Sequence, residues 1–600
     1  VVIVVTDDQR ADTLWAMPTV SDRLLGEGMS FSAAYVTSPL CCPERASFLS
    51  GGFRPVHTGV LTNEMPNGSS ALFPDEDTLA TALQEQGFAT GLFGKYLNTA
   101  EGADAVYIPP GWTQYSALAD VTTWTDFTLI EGSSGVASST GELVHHSEYI
   151  TDVLGAEAVE FIGEHAHEPF FLYLATTAPH LPAEPADEDA ALYADRVWRG
   201  GAWNEADVSD KPIHVSSRPL LEPTEIAALD EQAREQLRTL ASVDRMVGRL
   251  LDSLEEQGEL DHTLFVFTSD NGYLWGEHRL TDKGLPYEES IRVPFVIRGP
   301  GISRRSSFSP VAVNLDLPAT LLDLFDLDRP TDGLSFLPLL RGLEASRRPP
   351  FIIECYAEGN PLWSGLVKEQ WRYAIYATGE EELYDLQSDP SELSNLAAFP
   401  PEEAGIEAIR DQVVAERGLA ILSPALPSGT VGEPYDSTVE TWGGTPPLIF
   451  TEEAGRLPPG LTMDVDGRIS GTPTSEGSYW VAARVTDSSA SPWTGAPQTH
   501  SVSFLLDVGG SPAALVGPPE VVGLGPDTAR IRLRSRRPAH GLLRWSASPS
   551  HDLFPRQHSF EIDGSLELPL DRLAPGGTWY WELHVDGAFQ ARGQLRTPPR

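Results

Sequence analysis

Residues 1–5 (Val-Val-Ile-Val-Val) form an unbroken β-branched run that stops at Thr6-Asp7-Asp8-Gln9. A run apolar on both faces predicts a strand buried on both sides, as in a parallel sheet covered by helices. Comparable runs recur at 87–93, 169–174 and 263–268. Between them the apolar period lengthens to that of a helix at 78–86, 149–164, 225–257 and 317–327. In the third of these, Leu237, Leu240, Val243, Val247, Leu250, Leu251 and Leu254 make one stripe. Strand and helix patterns alternate to about residue 325. This predicts an α/β domain, a mostly parallel central sheet with helices on both faces. Residues 112–141 read as a loop-rich aromatic insertion suited to a substrate wall.

The texture changes at residue 350: 351–354, 371–376 and 382–386 alternate as short antiparallel strands, and 406–417 reads as a closing helix. Beyond about 420 the chain is rich in Pro, Gly, Ser and Thr with short alternating runs, which predicts two all-β sandwich modules. The expected domains are 1–335, 336–418, 419–510 and 511–600.

Six hundred residues exceed what one core organises, in keeping with several domains. The net charge of 41 − 86 = −45 argues against long-range attraction to nucleic acid or an acidic membrane. No apolar run approaches the ~20 residues of a membrane span. An anionic ligand would therefore need a local basic cluster. Only four of the 41 basic residues are lysines: Lys95, Lys211, Lys283 and Lys368. Ammonium and guanidinium groups do different work, so each lysine is a candidate for a specific role as well as a solvated surface group. Cys41, Cys42 and Cys355 make no disulfide framework. The sequence opens without Met inside a strand pattern, and a leader is expected to have preceded it.

Candidate chemistry sits at the strand ends. Asp7 and Asp8 close the first strand, and Asp270-Asn271-Gly272 closes the one at 263–268. Carboxyl ends of strands are where open α/β sheets hold ligands. These four side chains are hard-oxygen donors for Ca²⁺ or Mg²⁺, although one Asp also serves as a helix cap and Asp-Asn-Gly as a turn. Leu40-Cys41-Cys42-Pro43-Glu44-Arg45 precedes a helix-compatible run. It suits either an anion site at a helix N-terminus or a buried cysteine pair.

Cys41-x-Pro43-x-Arg45, followed by a small residue, resembles the signature of the formylglycine-dependent (type I) sulfatases of the alkaline-phosphatase superfamily. Glu44 departs from it, standing where that family has Ser or Ala. Gly94-Lys95-Tyr96-Leu97-Asn98 is similar to the element of the N-acetylglucosamine-6-sulfatase and heparan-sulfatase branch. Pro179-His180, Asp270-Asn271-Gly272 and Asp282-Lys283 follow in family order, with His278, in Gly276-Glu277-His278, in the same loop as Lys283. The resemblance covers residues 1–418. It implies Cys41 as the precursor of a formylglycine nucleophile, made by a formylglycine-generating enzyme. It implies catalytic roles for Arg45, Lys95, His180 and Lys283, and substrate contacts from Asn98 and His278. It also implies one Ca²⁺ held by Asp7, Asp8, Asp270, Asn271 and the residue-41 oxygen, and a sulfated carbohydrate as substrate. Glu44, on a helix, is expected to point away from the pocket.

Two other readings use the same residues. One is a phosphodiesterase or phosphonate hydrolase of the superfamily; the other is an inactive sulfatase-like head on a surface adhesin. Residues 457–473 resemble bacterial immunoglobulin-like repeats, and 521–598 a fibronectin type III-like sandwich with 573–581 leading into its sixth strand. Arg530, Arg532, Arg534 and Arg536 share one face of a strand pattern, suited to a polysaccharide or simply to solvent. After residue 512 there are 11 Arg against 9 acids, leaving that module near +2. The modules and the calcium chemistry together imply a secreted, cell-surface or periplasmic protein.

Overall fold

The computed structural model describes residues 1–98, 106–119, 123–302, 304–307, 310–343, 348–357, 360–422 and 426–509, then the strand segments 520–524, 529–534, 539–546, 556–562, 565–570, 578–585 and 588–596. Contacts divide the chain into two compact units. The first comprises Val1–Cys355, Trp363–Glu416 and Ser491–Gly495; the second comprises Tyr356–Leu362, Arg417–Ala490 and Ala496–Arg600.

The first unit is built on a ten-stranded mixed sheet. In chain order its strands are β1 (Val2–Thr6), β2 (Met29–Phe31), β3 (Ala89–Gly94), β4 (Gln114–Leu118), β5 (Phe127–Gly132), β6 (Glu142–His146), β7 (Phe170–Ala175), β8 (Phe265–Ser269), β9 (Phe295–Arg298) and β10 (Arg305–Ser307). Their spatial order is β10-β2-β9-β8-β1-β7-β3-β4-β5-β6. The middle of the sheet is parallel: β8, β1, β7, β3 and β4 pair in register in one direction. Both flanks turn antiparallel, at β8–β9–β2 and at β4–β5–β6.

Strand β1 shows why the central runs are apolar throughout. Val2 and Val4 enter one core, and Ile3 and Val5 the other. One core takes helices α2 (Ile150–His165) and the 34-residue α3 (Pro223–Glu256). The other takes α1 (Cys41–Leu49) and α4 (Val313–Leu324). The α/β expectation therefore holds, with two corrections. Residues 112–141 are not a loop-rich wall: β4 and β5 extend the main sheet, burying Tyr115, Ala117, Leu129 and Ile130. Helix α4 begins at Val313 rather than Leu317 and carries Pro318 inside it. An Asp316 carboxylate oxygen accepts the Ala312 N–H (2.9 Å), giving that start a cap that periodicity does not reveal.

After α4 comes a four-stranded antiparallel sheet of β11 (Phe351–Cys355), β12 (Trp363–Lys368), β13 (Trp371–Tyr376) and β14 (Glu381–Asp385). Ile352, Leu366, Tyr373 and Leu383 pack there on Ile406, Ile409 and Val413 of α5 (Ile406–Glu416).

The second unit is all β among the described residues. Ile469, Val481, Val485, Phe504 and Leu506 anchor its first core. Its last strands form one three-stranded and one four-stranded antiparallel sheet. Arg530 and Arg532 there both approach Glu567, so the arginine face is partly neutralised. The segment 571–577, Arg536 and the Arg534 side chain lie outside the described residues. Among those described, no helix is long and apolar enough to cross a membrane.

Candidate active site

Four adjacent parallel strands end at one place. β1 delivers Asp7 and Asp8, β8 delivers Asp270 and Asn271, β3 delivers Lys95, and the segment after β7 delivers His180. Backbone bonds tie these ends together: Asp7 N–H to Ala178 O (3.0 Å), Asp270 N–H to Thr6 O (3.1 Å) and Lys95 N–H to Ala175 O (2.8 Å). Asp8 has φ +71°, a conformation that costs a non-glycine residue free energy and here aims its side chain into the cluster.

Cys41 is the first residue of α1, after an extended Leu40. Pro43 falls in the first turn, where its missing N–H costs nothing. The helix N-terminus, with its partial positive charge, therefore faces the strand ends. The Cys41 thiol donates to Asp7 Oδ1 (3.6 Å) and accepts from Lys283 Nζ (3.0 Å). Lys283 Nζ also donates to Asp8 Oδ1, and Lys95 Nζ to Asp7 Oδ2. Arg45 sends Nε and Nη2 to Asp270 Oδ2 (2.9 and 2.8 Å) and Nη1 to Lys95 O (2.8 Å). Asp8 N–H donates to Asp270 Oδ1 (3.1 Å), and Asn271 Nδ2 to Asp8 Oδ1 (2.7 Å). Asn271 Oδ1 is buried with no hydrogen-bond partner.

Three buried carboxylates thus face three buried cations, an arrangement that tolerates desolvation only because every charge is paired. Burial alone would raise Asp7, but Lys95, then His180, Arg45 and Lys283, hold it far below the usual carboxylate range. Burial, reinforced by Asp7, pushes Asp270 the other way, to about 6. Burial drives the Cys41 thiol well above its ordinary value against the pull of Lys283 and Lys95, so the unmodified thiol stays protonated. His180 is lowered, chiefly by burial; its Nδ1 meets Leu181 O (2.5 Å), and its Nε2 lies 3.8 Å from Asp8.

Asp7, Asp8, Asp270, Asn271, Cys41, Arg45, Lys95, His180 and Lys283, expected together from sequence, are together. Asp7, Asp8 and Asp270 form an acidic cluster able to hold a metal ion. Asn98 lies at the edge: its N–H donates to Cys42 Sγ (3.1 Å) and its buried Oδ1 has no partner. His278 is turned elsewhere, with Nδ1 on Glu205 (2.6 Å) and its ring stacked on Tyr287. Glu44 is wholly buried, with Asp270, Arg45 and Asp7 as its charged neighbours and no partner for Oε2. Burial and then Asp270 raise it far above the usual range, so it carries its proton. Asn63, whose Oδ1 accepts the Cys42 N–H (2.8 Å), was not singled out from sequence, where a lone Asn in a loop carries no signal.

The sulfatase family model matches residues 1–327. The model for the C-terminal part of N-sulphoglucosamine sulphohydrolase matches 276–417, and an Ig-domain model 418–509. The N-acetylglucosamine-6-sulfatase of Capra hircus is 33% identical over 461 residues, covering 68% of this chain and 81% of that one. A Caenorhabditis elegans protein named as an extracellular sulfatase Sulf-1 homolog is 33% identical over 351 residues, 57% of this chain but 49% of its own length. Among solved structures, BT4656 in complex with its substrate D-glucosamine-2-N,6-O-disulfate superposes with TM-score 0.57 at 22% identity, over 69% of this chain and 96% of that one. At that identity the likeness speaks for the fold.

Proposed function

The chain belongs to the sulfatase family, and we propose on that premise that it hydrolyses sulfate esters of a sulfated glycan, with 6-sulfated glucosamine as the model substrate. The observation that carries the reading is residue 41 itself. It stands at a helix N-terminus, in contact with Asp7 and Lys283, inside a ring of three acids and three cations.

The donors fit Ca²⁺. Asp7, Asp8, Asp270 and the partnerless Asn271 Oδ1 are hard oxygens and would hold the ion beside residue 41. Bound Ca²⁺ supplies positive charge for the nucleophile and sulfate oxygens, and a formylglycine made from Cys41 supplies, as its hydrate, an attacking oxygen and a second hydroxyl for sulfate release. The remaining work belongs to the chain's own side chains. Lys283 and Lys95 offset the sulfate charge in a pocket that excludes water. Arg45 spends its donors on Asp270 and the Lys95 carbonyl, so it positions both rather than the ester. His180 donates Nδ1–H to a carbonyl, which in the neutral ring leaves Nε2 as a lone-pair acceptor, so it serves the departing alcohol only after gaining a proton, and Lys283 is the other group able to supply one.

A formylglycine-generating enzyme acts on the chain during maturation, and the protein works outside the cytoplasm, secreted, at the cell surface or in the periplasm. Residues 1–335 and 336–418 are the catalytic domain and its subdomain, 419–510 an immunoglobulin-like module, and 511–600 a fibronectin type III-like module that contacts polysaccharide. Release of free sulfate from N-acetylglucosamine 6-sulfate, followed by ion chromatography, tests the activity. Turnover by the mature chain, abolished in Cys41→Ala, is expected. Absence of release from 6-O-, 2-O- and N-sulfated sugars alike would overturn it.

A further inference from the structure

His278, set aside by the sulfate site, belongs to a second convergence. His278, Glu289 and Glu392 bring ligand atoms within 4.8 Å of one another in the interior of the first unit. His278 and Glu392 are buried. Each of the three residues has one side-chain atom with no hydrogen-bond partner: His278 Nε2, Glu289 Oε2 and Glu392 Oε1.

The tautomer of His278 follows from its other nitrogen. Nδ1 lies 2.6 Å from Glu205 Oε2. The other Glu205 oxygen lies 3.8 Å from Lys211 Nζ, so the carboxylate is oriented between a cation and the imidazole as an acceptor. Facing an acceptor, Nδ1 takes the hydrogen, and Nε2 is the ring atom left without a partner. A carboxylate behind a histidine whose far nitrogen is free is the arrangement that orients metal-bound imidazole. Glu392 Oε2 is likewise fixed by the Glu288 N–H (2.9 Å), leaving Oε1 free. Three side-chain atoms able to offer lone pairs thus converge without a hydrogen-bond partner, an arrangement that a cation would satisfy in place of protons on the carboxyls. Arg10 is engaged by Asp12 and Glu277 and does not fill that role.

We propose that His278 Nε2, Glu289 Oε2 and Glu392 Oε1 bind a divalent first-row transition ion, zinc in class, at a site separate from the Asp7–Asp8–Asp270 cluster. One imidazole and two carboxylates are the borderline donors such ions take, whereas Ca²⁺ prefers oxygen alone. Donors around a tetrahedral ion stand about 3.4 Å apart, so closure onto it needs movements of about an ångström. Burial pushes Glu289 to about 7, with Glu277 adding to the shift, and burial also raises Glu392. An ion would displace the protons these carboxyls otherwise hold.

The site has a consequence for the sulfate pocket. His278, Arg279 and Asp282 all take positive φ in the loop that ends at Lys283. The ion would fasten that loop to the Glu288–Ile291 turn of helix and to Glu392, after β14, and so hold Lys283 against Cys41.

The test is metal analysis of the full-length chain, grown with zinc and purified without chelator, by plasma mass spectrometry. About one zinc per chain is expected. His278→Gln and Glu392→Gln should each lower zinc at least tenfold while leaving calcium content unchanged. If neither variant is soluble, cobalt-grown wild type should show a visible d–d absorption band. Zinc below about one tenth per chain in the wild type, zinc unchanged in both soluble variants, or no cobalt band would overturn the site, with protons or water then joining the three groups. Calcium content and the state of residue 41 are read separately, so failure here is distinct from failure of the sulfatase reading.

Discussion

Lys283 touches both the Cys41 sulfur and Asp8, which under the proposed mechanism puts it where charge would build on a sulfate ester. Lys283→Met should lower kcat/KM on a sulfate ester about 10²–10³-fold, and because it leaves Asp8 without its buried cation it should lower the melting temperature as well. A loss under threefold would remove Lys283 from the reaction. Glu44 gives the opposite expectation. Its carboxyl is buried and neutral, so Glu44→Gln changes neither charge nor shape much. Activity within about threefold of wild type is expected, and a tenfold loss would mean the carboxylate is ionised and used. Asp7, Asp8 and Asp270 were legible in sequence because strand ends converge whatever the side chains, and Cys41, Lys95 and Lys283 through the motifs that resemble the sulfatase signature. His278 and Glu44 were not. The direction of a side chain in a positive-φ loop, or on a helix buried all round, is set by tertiary packing and has no periodic signature.

Strand ends are precise only where backbones pack closely. Gly94 has φ +99°, and a Cβ there would stand 2.0 Å from Ala175 O, the carbonyl that accepts the Lys95 N–H. Gly94→Ala should cost about 2–4 kcal/mol in unfolding free energy and displace Lys95. A variant with wild-type stability and activity would contradict that role. In the second unit, His500 is buried and its Nδ1 accepts the Ile421 N–H (3.3 Å). Burial lowers it from 6.5 to about 4. A depressed histidine contributes stability that is complete above pH about 6.5 and lost as pH falls through about 4, up to about 3 kcal/mol. Hydrogen exchange of peptides from 419–509 should therefore quicken across that window, and less so in His500→Gln; equal behaviour would contradict it. The apolar runs of β1, β7 and β8 were readable because both faces are buried. Strands β4 and β5 were missed because their Gly- and Thr-rich surroundings carry the texture of loops. The start of α4 was missed because its cap comes from Asp316 inside the helix itself.

At the scale of the molecule, net charge of −45 leaves the proposed sulfate site dependent on local positive charge, three cations buried among three acids at one point together with the ion those acids would hold. That site should depend on its ion. Chelation with EGTA is expected to lower sulfate release at least tenfold, and added Ca²⁺ to restore it; activity indifferent to chelation would contradict the calcium assignment. The α/β architecture and the all-β tail were both legible, since alternation and composition report layers. The antiparallel flanks of the main sheet were not, because pairing direction is settled between strands far apart in sequence. The most direct test of the central claim is the mass of the tryptic peptide 24–45 from chain co-expressed with a formylglycine-generating enzyme. A peptide about 18 Da lighter than its cysteine form, accompanied by its hydrate, is expected. An unmodified Cys41 in that peptide would contradict it.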